Sequence, residues 1–514
     1  MATDPSAAGT PEAMLPVHQR RHSQYNGRAP SPPEPSGSDS VIELSNFNGT
    51  THTHGTSTVT ATNAVAKASA VGSNVDESDY EIRALVGDQA LPDGASPARH
   101  HGDGHGLAVG TASNAQVAVN IVISFVGAGL LGIPDAFRRA GWLLGTLTLA
   151  TVSALNVYAM LLLPHVKRKL LHLRQKQQQN STRSDETHTD THELLLLDSY
   201  GALGRAIMGP NGETFVNGCL VVSQVGFATA YIIFIAANLH SLAGIPRGVT
   251  CLACVPGLCG LVQARDMKTL APFSLLADAA NVLGLSAVLF EDWETYYQPH
   301  DDVIHKVRWS GFLYVIAITV YSMEGVGLIL SLETSSRQPQ SFPSLFRTVL
   351  TCITLFMSLF GTAGYMGFGE NTQAPITLNL TDSNVALLVK SALCLALYLT
   401  YPVMMFPVWN ITETILLSTR DHTVTRVAFR SALVVLTAMV AWLVPDFGAF
   451  LSLVGSSICT VLGFILPCWF HWKVMGNELP NWQVGLDLFL MVGGGVFGVL
   501  GTYQSITSLG GGGQ

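Results

Sequence analysis

After about Asn114 the chain breaks into apolar stretches close to 20 residues long, and their length limits what they can form. They fall at about 115–138, 141–164, 213–239, 249–263, 270–290, 309–332, 343–367, 384–406, 425–443, 447–470 and 484–506. A helix of that length crosses a hydrocarbon core of about 30 Å. Backbone exposed to lipid must satisfy its own hydrogen bonds, so these stretches read as helices. A β-barrel would show segments of about ten residues alternating in polarity, and no such alternation is present. The fourth stretch is the weakest, being short and interrupted at Pro256. The expectation is an all-α integral membrane protein with eleven transmembrane helices.

Charge supports this and divides the chain in two. Only 12% of residues are charged, against about 25% in ordinary soluble domains. Residues 1–113 hold six basic and twelve acidic residues; the remainder holds 21 and 23. The first segment is rich in Ser, Gly, Pro, Thr and His without an apolar period, the composition of a disordered tail. An eleven-helix domain is expected over 114–506, followed by a Gly-rich end at 507–514. A basic footprint for nucleic acid is missing, so no nucleic-acid partner is expected. Membrane lipid is the expected surrounding, and oligomeric state is open.

Lys and Arg in short loops set orientation. Lys167, Arg168, Lys169, Arg174, Lys176 and Arg183 follow the second stretch; Arg265, Lys268, Arg337, Arg347, Arg420, Arg426 and Lys473 fall on the same side. Arg138, Arg139, Arg247, Lys306 and Arg308 fall on the other. The bias places the N-terminus in the cytosol and, with an odd number of spans, the C-terminus on the lumenal or extracellular side. Asn379 opens an Asn-Leu-Thr sequon on that far side and is a glycosylation candidate. Cys251, Cys254 and Cys259 lie in an apolar segment without His or carboxylate partners, so structural packing is expected and no metal or cofactor.

An internal echo points to function. The first stretch reads Val126-Gly127-Ala128-Gly129-Leu130-Leu131-Gly132-Ile133-Pro134, and the sixth reads Glu324-Gly325-Val326-Gly327-Leu328-Ile329. Glycine costs about 1 kcal/mol in a helix interior, and proline removes a donor and clashes with the preceding turn. Breakers at matching places in two halves mark discontinuous helices in an inverted-repeat transporter. The repeats would span about 115–290 and 309–470, with 484–506 as an extra helix. At such a break, freed N–H and C=O groups can receive the carboxylate and ammonium of an amino acid. Small residues that let helices approach closely are the alternative meaning of the same glycines.

Phe125–Trp142, which reads F-V-G-A-G-L-L-G-I-P-x-A-F-x-x-A-G-W, resembles the first-helix signature of the amino acid/auxin permease family. Ser199–Gly204, Leu270–Gly284 and Tyr321–Leu328 extend the resemblance over about 115–506, and the wording is most similar to plant and algal vacuolar members and the proton-assisted transporters. The resemblance implies a LeuT-like 5+5 inverted repeat plus one helix, and secondary transport of amino acids, neutral ones as the working expectation, across a vacuolar or other endomembrane (the plasma membrane being the alternative). Its substrate site would be lined by Val126, Gly127, Ala128, Gly129, Leu130 and Gly132 in the first break and by Tyr321, Ser322, Glu324 and Gly325 in the sixth. Sodium-coupled members usually carry Asn where this chain has Ile123, and an aromatic residue is common where it has Asp135.

That departure favours a proton as coupling ion. Ionisable groups at mid-membrane are expensive and functional by default, which makes Glu324 the first proton-coupling candidate and Asp278 the second. Asp278 and Asn281, three apart, share a helix face and could also simply support the first helix. Asp135 can pair with Arg138 or Arg139, or act in gating. Glu333 and Lys390 lie near span ends, where snorkelling or anchoring is expected. Tyr231, Thr400 and Tyr401 are polar handles that could touch substrate or only pack. An amino-acid sensor signalling through the long tail is the rival function. Enzymatic chemistry has no nucleophile–base pair or ligand cluster in the spans to support it.

Overall fold

The computed structural model describes residues 110–181, 197–263, 284, 286–288, 290, 304–380, 383–416 and 423–511. Among these residues the architecture is helical, with one isolated bridge between Ala112 and Ser336. Eight helices are long and apolar enough to cross a membrane, and the bent pair Asn114–Phe125 and Ala128–Ala140 forms a ninth. They coincide with nine of the apolar stretches. The fourth stretch is a helix of only 15 residues, Arg247–Leu261. Most of the fifth, with Asp278 and Asn281, lies outside the described residues, as does the tail up to residue 109.

The first span starts where Ser113 and Gln116 cap each other reciprocally, a pairing that satisfies two otherwise unpaired N–H groups. Helix α1 (Asn114–Phe125) ends at Val126, whose backbone leaves the helical region. A 3₁₀ turn over Ala128–Gly132 follows, then α2 (Ile133–Ala140), with Pro134 in its first turn. Proline is tolerated there because the first-turn N–H lacks an intrahelical partner anyway. The bend between the two halves is 44°.

Helix α3 (Trp142–Ser181) forms the second span, and the short α4 (Tyr200–Met208) leads into α5 (Pro210–Ala243). Helix α5 ends at Gly244 with φ 64°, a left-handed cap that favours glycine. Helix α6 is Arg247–Leu261. The sixth apolar stretch, called the sixth span by its place among the stretches, consists of α7 (Phe312–Ser322), a 3₁₀ turn at Val326–Leu328 and α8 (Ile329–Ser335). Then come α9 (Phe342–Phe368), α10 (Asn384–Leu416) and α11 (Thr423–Leu443). The tenth span is α12 (Phe447–Val454), two π-helical turns at Gly455–Cys459 and Val461–Ile465, and α13 (Leu466–Met475). Helix α14 (Asn481–Gly511) is the last.

Burial sorts these helices into a centre and a rim. In the best apolar window, 72% of the tenth span is buried and 67% of α5 and of the sixth span, against 17% for α14. On α14, Leu488, Phe489, Val492, Val496, Val499 and Tyr503 are exposed, at the three- and four-residue spacing of one helix face. An apolar face that large belongs against lipid. Its inner face carries the polar groups: Asp487 is bonded to His471 at 2.6 Å and to the Tyr158 hydroxyl at 2.9 Å. Ser505 meets Ser452 at 2.9 Å.

Candidate functional site

The two interrupted spans touch at their breaks. A Cβ added to Gly129 would stand 2.6 Å from Ser322 Oγ and 2.9 Å from Ser322 Cα. Only a residue without a side chain allows that approach. The contact is reciprocal, because a Cβ on Gly325 would run into the ring of Phe125, the last residue of α1. The echoing glycines thus serve both meanings of the motif: they end the helices and let the ends meet. Around them, Ala128, Gly129, Leu130, Leu131 and Gly132 are all buried. Leu130 N–H donates to Gly127 O at 3.2 Å, and Gly132 packs against Leu451. Val126, half-buried, caps α1 through a bond to Val122 O at 2.9 Å.

Tyr321 and Ser322 close the other side. The Tyr321 ring meets Phe227 of α5 edge-on, 4.9 Å between centroids. Ser322 Oγ donates to Ile318 O at 2.7 Å, which occupies its proton inside its own helix. Tyr231 of α5 is buried with its hydroxyl 3.9 Å from the position of a Cβ on Gly127. The structure therefore brings Tyr231 to the first break. Thr400 is placed differently: its hydroxyl donates to Ala396 O at 2.8 Å on α10, and no hydrogen bond among the described residues joins it to either break. Tyr401 pairs with Thr437 at 2.7 Å.

Glu324 stands in the second break, between α7 and the 3₁₀ turn. Its carboxylate accepts from the Val326 N–H, but Oε2 is buried without a hydrogen-bond partner. Three neighbours frame it. Asn156 of α3 donates from Nδ2 to Met323 O at 2.8 Å, tying the second span to the carbonyl just ahead of Glu324. Tyr200 of α4 donates to Leu462 O at 3.0 Å. Gly463, in the second π turn, faces Glu324 Oε2 and Asn156 Oδ1. Asn156 and the π turns are the parts that sequence reading missed. The available signal was an amide alone in the apolar run Ser153-Ala154-Leu155-Asn156-Val157, since such a group in a membrane helix seeks a partner on another helix. π turns carry no comparable sequence mark, though they recur at functional sites.

At one end of the first span, Asp135 is 1% exposed and gathers three donors. Arg138 Nη2 lies 2.6 Å from Oδ1, Arg139 Nε 3.0 Å from Oδ2, and Tyr314 Oη 2.9 Å from Oδ2. Arg139 also stacks 4.1 Å over the Tyr314 ring. Pairing with one arginine understates this: the carboxylate binds both and ties α2 to α7. A cavity of about 440 Å³ opens beside it, lined by Asp135, Arg138, Arg139, Arg247 and Asp446 among others.

At the opposite end of the sixth span, Glu333 is buried and meets Arg168 Nη2 at 3.0 Å and Lys167 Nζ at 3.6 Å. Lys390 is buried too, donating to Ser241 Oγ at 3.3 Å and Leu380 O at 3.4 Å. Of the two behaviours expected at span ends, both residues follow anchoring and neither snorkels, because protein partners replace water. Asn379 accepts from Gln373 N at 2.7 Å and donates to Asn371 O at 2.8 Å, so its amide is engaged within its own loop.

Residues 110–507 match the family described as transmembrane amino acid transporter protein. The amino acid transporter AVT3B of Arabidopsis thaliana is 35% identical over 413 residues, covering 77% of this chain and 94% of that relative. The amino acid transporter ANT1 of the same plant is 33% identical, covering 84% and 99%. Vacuolar amino acid transporter 3 of Schizosaccharomyces pombe is 25% identical, covering 77% of this chain and 58% of its own length. With a family match over most of its length and relatives aligned nearly end to end, this chain belongs to the transmembrane amino acid transporter family.

Proposed function

We propose that this protein carries amino acids, neutral ones first, across a vacuolar or related endomembrane by alternating access around the first and sixth spans, coupled to a proton on Glu324. One observation carries the reading: the two breaks meet at Gly129–Ser322 and Gly325–Phe125, and beside that contact lies a carboxyl oxygen with no partner. The 3₁₀ turn at Ala128–Gly132 presents its leading N–H groups and the positive end of its dipole to a substrate carboxylate. Carbonyls at the two breaks receive the ammonium. Because the contact leaves no room for a side chain at Gly129, substrate entry must move α7 away from the first break. Rocking of one repeat against the other supplies such a motion.

The same reading has eleven spans, the N-terminal tail in the cytosol and the C-terminus in the lumen. Plant and yeast relatives named as vacuolar or as amino acid transporters support the substrate class and the compartment. A lumen more acidic than the cytosol would drive export with the proton. The test is flux into proteoliposomes over the twenty amino acids, with and without a pH gradient, for the wild-type protein and Glu324→Gln. The expected result is gradient-stimulated flux of neutral amino acids that Glu324→Gln uncouples from the gradient. Flux indifferent to the gradient removes the proton coupling, and absence of flux for every amino acid removes the transport reading.

A further inference from the structure

Two oxygens buried beside the second break face the same spot, and neither has a hydrogen-bond partner. One is Glu324 Oε2 and the other is Asn156 Oδ1. Asn156 is 2% exposed, and its orientation is fixed, because Nδ2 donates to Met323 O at 2.8 Å. Turning the amide over would set oxygen against oxygen at that carbonyl. A Cβ on Gly463 would stand 3.4 Å from Asn156 Oδ1 and 3.5 Å from Glu324 Oε2, so the two oxygens are at most about 7 Å apart across the space a glycine leaves.

Buried acceptors without donors are costly, and here two of them converge. A single proton relieves both. Protonated on Oε2, Glu324 becomes a donor and Asn156 Oδ1 the acceptor, directly or through one water over Gly463. Tyr200 on α4 and Cys459 in the first π turn are titratable side chains near Glu324, and the Tyr200 hydroxyl is spent on Leu462 O.

We propose that Asn156 is the positioning residue that holds the coupling proton on Glu324, in a site completed by Gly463, whose missing side chain leaves the two oxygens facing the same position. This rests on the reading of Glu324 as the coupling acid. On loading, a proton from water forms an O–H bond at Oε2; on release that bond breaks, the proton returns to water and the carboxylate remains. The site draws on three elements: α3, the sixth-span break and the second π turn. It therefore exists only while these stay together, and a motion that separates the break from the tenth span dismantles the proton's acceptor as it opens the path.

The experiment uses the full-length protein in proteoliposomes and compares two fluxes. Exchange of labelled for unlabelled amino acid needs no net proton movement, whereas gradient-driven uptake does. Asn156→Leu removes the acceptor at similar size, together with the donor to Met323 O. Gly463→Ala puts a methyl at an ordinary contact distance from both oxygens, so it fits the fold while filling the space between them. For each variant the expected result is gradient-driven uptake reduced about tenfold, with the pH of half-maximal uptake moved about one unit toward acid, as loss of one hydrogen bond implies, and exchange kept within about threefold. Should Asn156→Leu fail to fold, Gly463→Ala gives the answer by itself. If these variants keep the wild-type pH profile while Glu324→Gln abolishes it, the assignment of Asn156 is overturned and Glu324 stands. If Glu324→Gln itself leaves the profile intact, the coupling reading falls first.

Discussion

The two breaks share a glycine pattern and differ in what surrounds it. Around the first, every residue of the 3₁₀ turn is buried and apolar, and the acid of the same span, Asp135, is held by two arginines and a tyrosine. Around the second, the turn is partly open and Glu324 keeps one oxygen without a partner. The first break is shaped by close approach, so its demands are steric. The second retains an unmet polar demand, and a buried unmet demand is where a ligand or a proton gains most. Similar motifs in two spans thus divide the work: one receives the backbone of its partner, the other keeps an acid available.

If that division holds, the largest effect belongs to Gly129→Val. Its added carbons meet Ser322 Oγ at 2.6 Å and Ser322 Cα at 2.9 Å, and backbone cannot swing aside, so transport should be lost with about 3 kcal/mol of stability. Unfolding of the purified protein in detergent reads the second quantity, and a wild-type transition would show that the breaks do not touch. Asp135→Ala comes next, at about 2 kcal/mol. It strands the buried Tyr314 hydroxyl and two arginines that remain a quarter to a third exposed and so keep some hydration. Restoration by Asp135→Glu would argue for the charge, and no loss at all would detach α2 from α7. Gly325→Ala is expected to cost about 1 kcal/mol, because the obstacle is the far edge of the Phe125 ring, which can turn. Combining it with Phe125→Leu should recover the loss. The smallest effect is Gly127→Ala, for which the only neighbour is the Tyr231 hydroxyl at 3.9 Å. Its backbone is extended, so stability should change by less than about 0.5 kcal/mol; a large loss there would mean that the first break needs more than close approach.

Much of the broken pair was legible in the chain. Gly127, Gly129 and Gly132, with Pro134, predict where α1 stops, and Gly325 and Gly327 predict where α7 stops, because helix interruption is a local property. Glu324 could be singled out for the same reason, as an acid alone within an apolar run. Asn156 could not be joined to it, since 168 residues separate them and nothing local says which face of α3 meets the sixth span. Thr400 bonds its own helix, a placement that its depth in the apolar run does not indicate. Glu333 and Lys390 sit near span ends, where water is normally within reach, but their burial depends on neighbours that periodicity does not name.

By itself, then, the sequence determined the solvent, nine membrane-length helical stretches among the described residues, the interruptions of the first and sixth, and the family. Each follows from hydropathy, backbone propensity and motif wording read over a few tens of residues. Only the tertiary structure decided which interruptions touch, that Gly129 is needed for Ser322 and Gly325 for Phe125, and that Glu324 Oε2 and Asn156 Oδ1 face one gap over Gly463. Those are relations between groups distant in the chain, fixed by the packing of whole helices. The energies that matter at the site, close contact and unmet hydrogen bonding, arise only when that packing brings the groups together.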